Sequence, residues 1–195
     1  YDTNGTLAWV RFNEGTASTG GFGVRVATDV AENVFVTGTV WGSSTIGDVN
    51  MSSRGSDDIF VWKFDRNGTL QWVFTAGSTE TTYGDQGRAI AVDGQGNVFV
   101  GGYFAGTAMF GESAVTSAGA RDAFLMKLLG DGTFAWVKTG GGTFYLDEIA
   151  GLVCDSEGNI YAAGTFCGRA TFDQTEITSN ITDAFVAKYS TGGQL

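Results

Sequence analysis

Three copies of one phrase constrain this chain more than any other feature: Asn4-Gly5-Thr6-Leu7-Ala8-Trp9-Val10, Asn67-Gly68-Thr69-Leu70-Gln71-Trp72-Val73 and Asp131-Gly132-Thr133-Phe134-Ala135-Trp136-Val137. The tryptophans recur at spacings of 63 and 64 residues. A second signature keeps the same phase, with Asp29 before Asn33-Val34-Phe35-Val36, Asp93 before Asn97-Val98-Phe99-Val100, and Asp155 before Asn159-Ile160-Tyr161-Ala162. A third pairs Asp58 with Phe60 and Lys63, Asp122 with Phe124 and Lys127, and Asp183 with Phe185 and Lys188. Three signatures in one phase define a structural repeat of about 62 residues.

Each unit reads as four strands separated by turn chemistry. In the middle unit the pattern predicts strand a over 87–92, a turn over 93–97, strand b over 98–104, a long connection over 105–121, strand c over 122–128 and strand d over 133–137. The chain holds 31 glycines and no proline, so Gly, Asn and Asp must make the turns. No segment has the 3.6-residue period of an amphipathic helix.

The strands are apolar on both sides. In the first strand c, Phe60, Trp62 and Phe64 point one way and Ile59 and Val61 the other, because side chains alternate with period two. Such sheets need a cover on both faces. Burying one tryptophan removes roughly 150–250 Å² from water, on the order of 4–6 kcal/mol before the entropy cost. A single sheet leaves most of that area wet, so each unit needs neighbours. A sandwich gives no reason for a strict repeat, and a solenoid rung rarely takes ~60 residues.

The expected fold is therefore all-β: a β-propeller of four-stranded antiparallel blades. Its blades are expected at 16–78, 79–140 and 141–195, with 1–15 as the outer strand of a preceding blade and the last blade lacking its outermost strand. Three blades are fewer than the four to eight that close typical propellers. Two completions stay open: strand 6–12 of another copy, or further blades of a longer chain.

The chain resembles the SBBP-type β-propeller repeats of bacterial secreted and surface proteins. The resemblance rests on Asn97 to Val100 with Gly102, Gly106 to Gly111, Thr116-Ser117, Asp122 to Lys127 and Gly132 to Trp136. It spans essentially the whole chain, with Glu32 standing where the other units have Gly96 and Gly158. It implies a secreted or cell-surface location and carries no shared catalytic motif.

Eleven basic against 21 acidic residues give a formal charge of -10, which disfavours nucleic acid and anionic membrane surfaces. No apolar stretch is long enough to span a bilayer as a helix. Histidine is absent, which removes Ser-His-Asp and Cys-His catalysis. The acidic residues recur at repeat positions. Asp29, Asp93 and Asp155 are expected to close the a-to-b hairpins, and Asp58, Asp122 and Asp183 to cap strand c. No specific carboxylate pair stands out for glycoside hydrolysis. Asp65-Arg66-Asn67-Gly68-Thr69 has the opening look of a calcium loop without its later ligands, and reads better as a hairpin turn, so no cofactor is expected.

Cys154 and Cys167 fall late in strands a and b. If Cys154 faces Ile160, roughly 23 Å of strand at about 3.3 Å per residue separates the two, so free, largely buried thiols are expected.

The best ligand candidates are aromatics in connections, read as outside the repeat pattern: Tyr83, Phe144 and Tyr145 between strands d and a, and Trp41 after the first strand b. Asn4, Asn50, Asn67 and Asn180 each begin an Asn-x-Ser/Thr sequon. The reading that results is a non-enzymatic extracellular scaffold whose partners are copies of itself, further blades, or an extracellular protein or glycan. A carbohydrate-binding propeller and a carboxylate-dependent polysaccharide hydrolase or lyase stand as alternatives.

Overall fold

The computed structural model describes residues 4–195, and these form thirteen strands and no helix. The first unit contains β1 (Gly20–Thr28), β2 (Val34–Ile46), β3 (Val49–Phe64) and β4 (Leu70–Ser78), paired antiparallel in that order. The second contains β5 (Gln86–Val92), β6 (Val98–Phe104), β9 (Asp122–Leu128) and β10 (Phe134–Gly141). The third contains β11 (Glu148–Cys154), β12 (Ile160–Phe172) and β13 (Thr175–Tyr189).

The connection expected over 105–121 holds a short hairpin of its own, β7 (Thr107–Phe110) with β8 (Ser113–Thr116). In the outer units the same hairpin is continuous with the long strands β2 and β3, and β12 and β13. It joins each unit to the one before it. Gly77 pairs with Met109, Gly141 with Thr171, and Glu14 with Thr45, at equivalent positions. Residues 6–12, expected as a strand, form none; in this stretch only Glu14 is bridged, to Thr45, and no neighbouring strand runs along the segment.

Two of the three apolar cores lie between units, and the third, around Phe60, Trp62 and Phe64, lies in the first unit. Phe35, Ile59 and Val61 of the first pack with Ile90, Val98, Val100 and Phe124 of the second. Phe99 and Leu125 of the second pack with Ile149, Ile160, Phe166 and Phe185 of the third. This is the cover that two-sided apolar strands demand, and β5 accordingly lies beside both β1 and β11.

The three tryptophans occupy like surroundings. A Cβ on Gly68 would come within 2.6 Å of the Trp9 ring, one on Gly132 within 2.8 Å of Trp72, and one on Gly193 within 3.2 Å of Trp136. Each of these glycines has φ between +77 and +89°, the left-handed region where a side chain is strained. The indole Nε1 of Trp9 donates to the Arg66 carbonyl at 3.0 Å, and that of Trp72 to the Gly130 carbonyl at 3.2 Å. Lys63 Nζ reaches the same Gly130 carbonyl at 2.7 Å, and Lys127 Nζ reaches the equivalent Thr191 carbonyl at 3.2 Å.

Candidate interaction site

The connections between β4 and β5 and between β10 and β11 are each anchored by a buried carboxylate. Asp85 accepts from the Ser78 amide at 2.6 Å and the Ala105 amide at 2.8 Å. Asp147, its equivalent, accepts from the Gly142 and Cys167 amides, each at 2.9 Å. Each carboxylate thus joins the outer strand of one unit to strand b of the next. Burial pushes Asp85 up to about 6 and raises Asp147 as well. The first unit has Gly21 at this position, so two of three units carry the anchor.

Two residues before each anchor stands a tyrosine, Tyr83 and Tyr145. Spacing along the chain sets them outside the repeat, yet they are equivalent positions, and the fold brings them together. Their hydroxyls lie 3.2 Å apart, with the rings edge to face at 6.2 Å. The hydrogen bond to Tyr145 raises the Tyr83 phenol above its ordinary value. The Arg121 guanidinium lies 5.5 Å from the Tyr83 ring centre and 4.5 Å from that of half-buried Tyr103. Its Nε is enclosed without a hydrogen-bond partner. Beside it, Arg88 pairs with Glu148 at 3.6 Å. The result is an aromatic and guanidinium patch with Tyr145 69% exposed, suited to stacking on a flat ligand face and donating hydrogen bonds from its rim.

The other candidates are placed elsewhere. Phe144 lies over Gly168, and Trp41 packs on Gly20 and sits 5.9 Å from Phe22 in the first unit. Sequence reasoning misses Arg121 and Tyr103, since neither residue type recurs at those positions in the other units.

The aspartates of the a-to-b hairpins are engaged with backbone, and of those expected to cap strand c, Asp122 is while Asp183 is not. Asp29, Asp93 and Asp155 each accept, through one oxygen, from the amides two and four residues on, and through the other from Asn33, Asn97 and Asn159 side chains. Asp122 accepts from the Ala118 and Gly119 amides. Asp58 is 2% exposed and is pushed up to about 7, first by burial and also by the Asp85 charge. Asp183, their equivalent in β13, is exposed. Phe60 and Phe124 are fully buried, and Phe185 is 9% exposed. Asp65 accepts from the Asn67 and Thr69 amides, which hold its carboxyl below the usual range. Among the described residues no cluster of three or more His, Cys, Asp or Glu could hold a metal ion. Asn4, Asn50, Asn67 and Asn180 are all exposed.

Cys154 faces Ile160, and both thiols are free and half-buried rather than enclosed. Burial pushes the Cys154 thiol up to about 11.

With the repeat geometry in place, comparison with known proteins adds one relationship. The chain is similar to a WD repeat-containing protein. That protein, from Acanthamoeba polyphaga mimivirus and itself uncharacterized, is 25% identical over 210 residues, which cover 86% of this chain. The chain spans about 15% of the length of that WD repeat-containing relative. No protein-family model matches the chain, so the SBBP-type resemblance rests on its quoted motifs alone.

Proposed function

We propose that the chain forms three blades of a β-propeller and serves as a non-enzymatic scaffold for protein interaction, secreted or at the cell surface. One observation carries the reading: the same inter-unit contacts recur at both junctions, so the units are built to stack around a common axis. The similarity to a WD repeat-containing protein supports it, because WD repeats build propeller blades of four strands. The carboxylates with the most raised pKa, Asp58 and Asp85, are enclosed at 2% and 1% exposure, which favours construction over catalysis.

The Tyr83, Tyr145 and Arg121 patch is the surface assigned to partner binding. Selection of a displayed random-peptide library on the chain is expected to enrich binders that the Arg121→Ala and Tyr145→Ala variants lose. Enriched binders indifferent to both variants, or no enrichment, would overturn this assignment.

A second reading has its own support, since the exposed Tyr145 ring paired with half-buried Tyr83 also suits sugar stacking. A glycan array separates the two. Glycan binding abolished by Tyr83→Ala and Tyr145→Ala would replace the protein-partner reading with a carbohydrate-binding propeller; an empty array removes that alternative.

A further inference from the structure

Two arginines are half-buried among the described residues, Arg88 and Arg121. Arg88 is satisfied within the chain, its Nη1 donating to Gln86 at 2.9 Å and its Nε facing Glu148 at 3.6 Å. Arg121 is not. Its guanidinium donates to no group among the described residues: Nε is enclosed without a partner, and the unpartnered Nη atoms are left open to solvent. The group is nonetheless fixed in place. Its centre lies 4.5 Å from the Tyr103 ring centre and 5.5 Å from that of Tyr83, both within cation–π range, and the Arg121 carbonyl accepts from the Asp147 amide at 3.1 Å across the junction. A guanidinium held by rings keeps both Nη donors in the planar fork that fits a carboxylate or a phosphate.

The tyrosine pair adds a donor. The Tyr83 and Tyr145 hydroxyls share one hydrogen bond, which uses one phenol proton and leaves the other for an outside acceptor. Charge then narrows the ligand. In the first unit the place of Arg121 is held by Asp57, whose carbonyl accepts from the Asp85 amide in the same way, at 2.8 Å. Asp57 and Glu148 act electrostatically on Tyr103, and Glu80 acts on Tyr83, in a chain of formal charge -10. Such surroundings repel a dianionic phosphate or a polyanionic glycan more strongly than a lone carboxylate.

We propose that this patch recognises one carboxylate of a protein partner, an aspartate or glutamate side chain gripped end-on by the two Nη atoms of Arg121, with the spare phenol proton of the tyrosine pair as a further donor. This rests on the protein-interaction reading above and supplies the chemistry of its partner. Arg88 takes no part, because Gln86 and Glu148 already occupy it.

Peptides enriched from a displayed random library on the chain, remade synthetically with a fluorescent label, provide the test. They are expected to share an acidic residue whose change to Asn or Gln weakens binding at least about tenfold in fluorescence anisotropy, as loss of a charge-assisted hydrogen bond does. On the Arg121→Ala chain the acidic peptide and its amide counterpart are expected to bind alike. Arg121→Lys, which keeps the charge without the fork, is expected to shrink the preference and serves as the test if Arg121→Ala does not fold. A preference for acid over amide that persists undiminished on both variants, or enriched peptides with no acidic residue, overturns the carboxylate assignment; the interaction reading then stands if Tyr145→Ala still abolishes binding. No enrichment overturns both. Oligogalacturonate bound in an Arg121-dependent way, with no acidic peptide bound, would replace the protein partner by a uronate glycan.

Discussion

Gly77 lies so close to Asp58 that a Cβ there would come within 2.3 Å of the carboxyl carbon. The pair recurs as Gly141 and Asp122, where the distance is 2.5 Å. The outer strand of each unit can approach its neighbour only because no side chain intervenes, and the buried carboxyl fills the space.

Gly77→Ala and Gly141→Ala are therefore expected to lower unfolding free energy by roughly 1–3 kcal/mol each, the usual cost of overpacking. Gly94→Ala is the control, since nothing lies within 4 Å of its added methyl. Urea midpoints of the three variants decide this: equal midpoints would refute the close-approach argument.

Burial raises Asp58 to about 7 and Asp85 to about 6. Between their unfolded value of 3.8 and these folded values the native chain binds more protons than the unfolded one. Stability is thus expected to fall as pH rises from about 4 to about 7, by a few kcal/mol, because a tenfold difference in proton affinity between the two states is worth about 1.4 kcal/mol. Below that window Asp155, held down by Asn159, and Asp65 and Asp131, held down by Thr69 and Thr133, act the other way. Melting temperatures across pH 4–8 are expected to peak near the acid end of that window, and Asp58→Asn is expected to flatten the slope. A protein more stable at neutral pH than at the start of the window would contradict the assignment.

Asp147, like Asp85, accepts from two amides on different parts of the fold, Gly142 just after β10 and Cys167 in β12. Asp147→Ala is expected to cost about 2–4 kcal/mol, because two buried donors lose a charged acceptor. Native-state hydrogen exchange resolves the mechanism: the Gly142 and Cys167 amides should lose protection first, ahead of β12 as a whole.

The Tyr83 phenol is raised by its bond to Tyr145. In the Tyr145→Phe variant its ultraviolet titration is expected to move back down toward 10.0. An unmoved titration would mean the two hydroxyls do not meet in solution.

Burial holds the Cys154 thiol near 11, leaving little thiolate at pH 8. Its reaction with a disulfide reagent in the Cys167→Ala variant is expected to be at least tenfold slower in the folded chain than in denaturant.

Strands b and c are legible because their signatures are continuous apolar runs with fixed flanking polar residues: β6 and β9 begin and end at the expected positions 98–104 and 122–128. The β7–β8 hairpin is not, since four-residue strands of mixed exposure carry too little alternation to show. Asp85 and Asp147 are hidden because Gly21 breaks the series in the first unit. Tyr83 and Tyr145 are hidden for a different reason. Measured from the tryptophans they fall 11 and 9 residues on, so a two-residue difference in the connections masks an equivalence that the anchoring carboxylates restore. Arg121 meets Tyr83 and Tyr103 within its own unit, through the return of β9 beside β6, and only Tyr145 comes from the next unit, a convergence that no local pattern encodes.

The Gly130 carbonyl receives both Lys63 and Trp72 from the preceding unit. A single inserted or deleted residue in that turn would strip a neighbour of two ties at once, whereas gain or loss of an entire unit leaves every such tie intact. Evolution of chains like this one should consequently proceed by whole-unit duplication and tolerate length drift elsewhere, with the turn beneath each indole the least forgiving place for it.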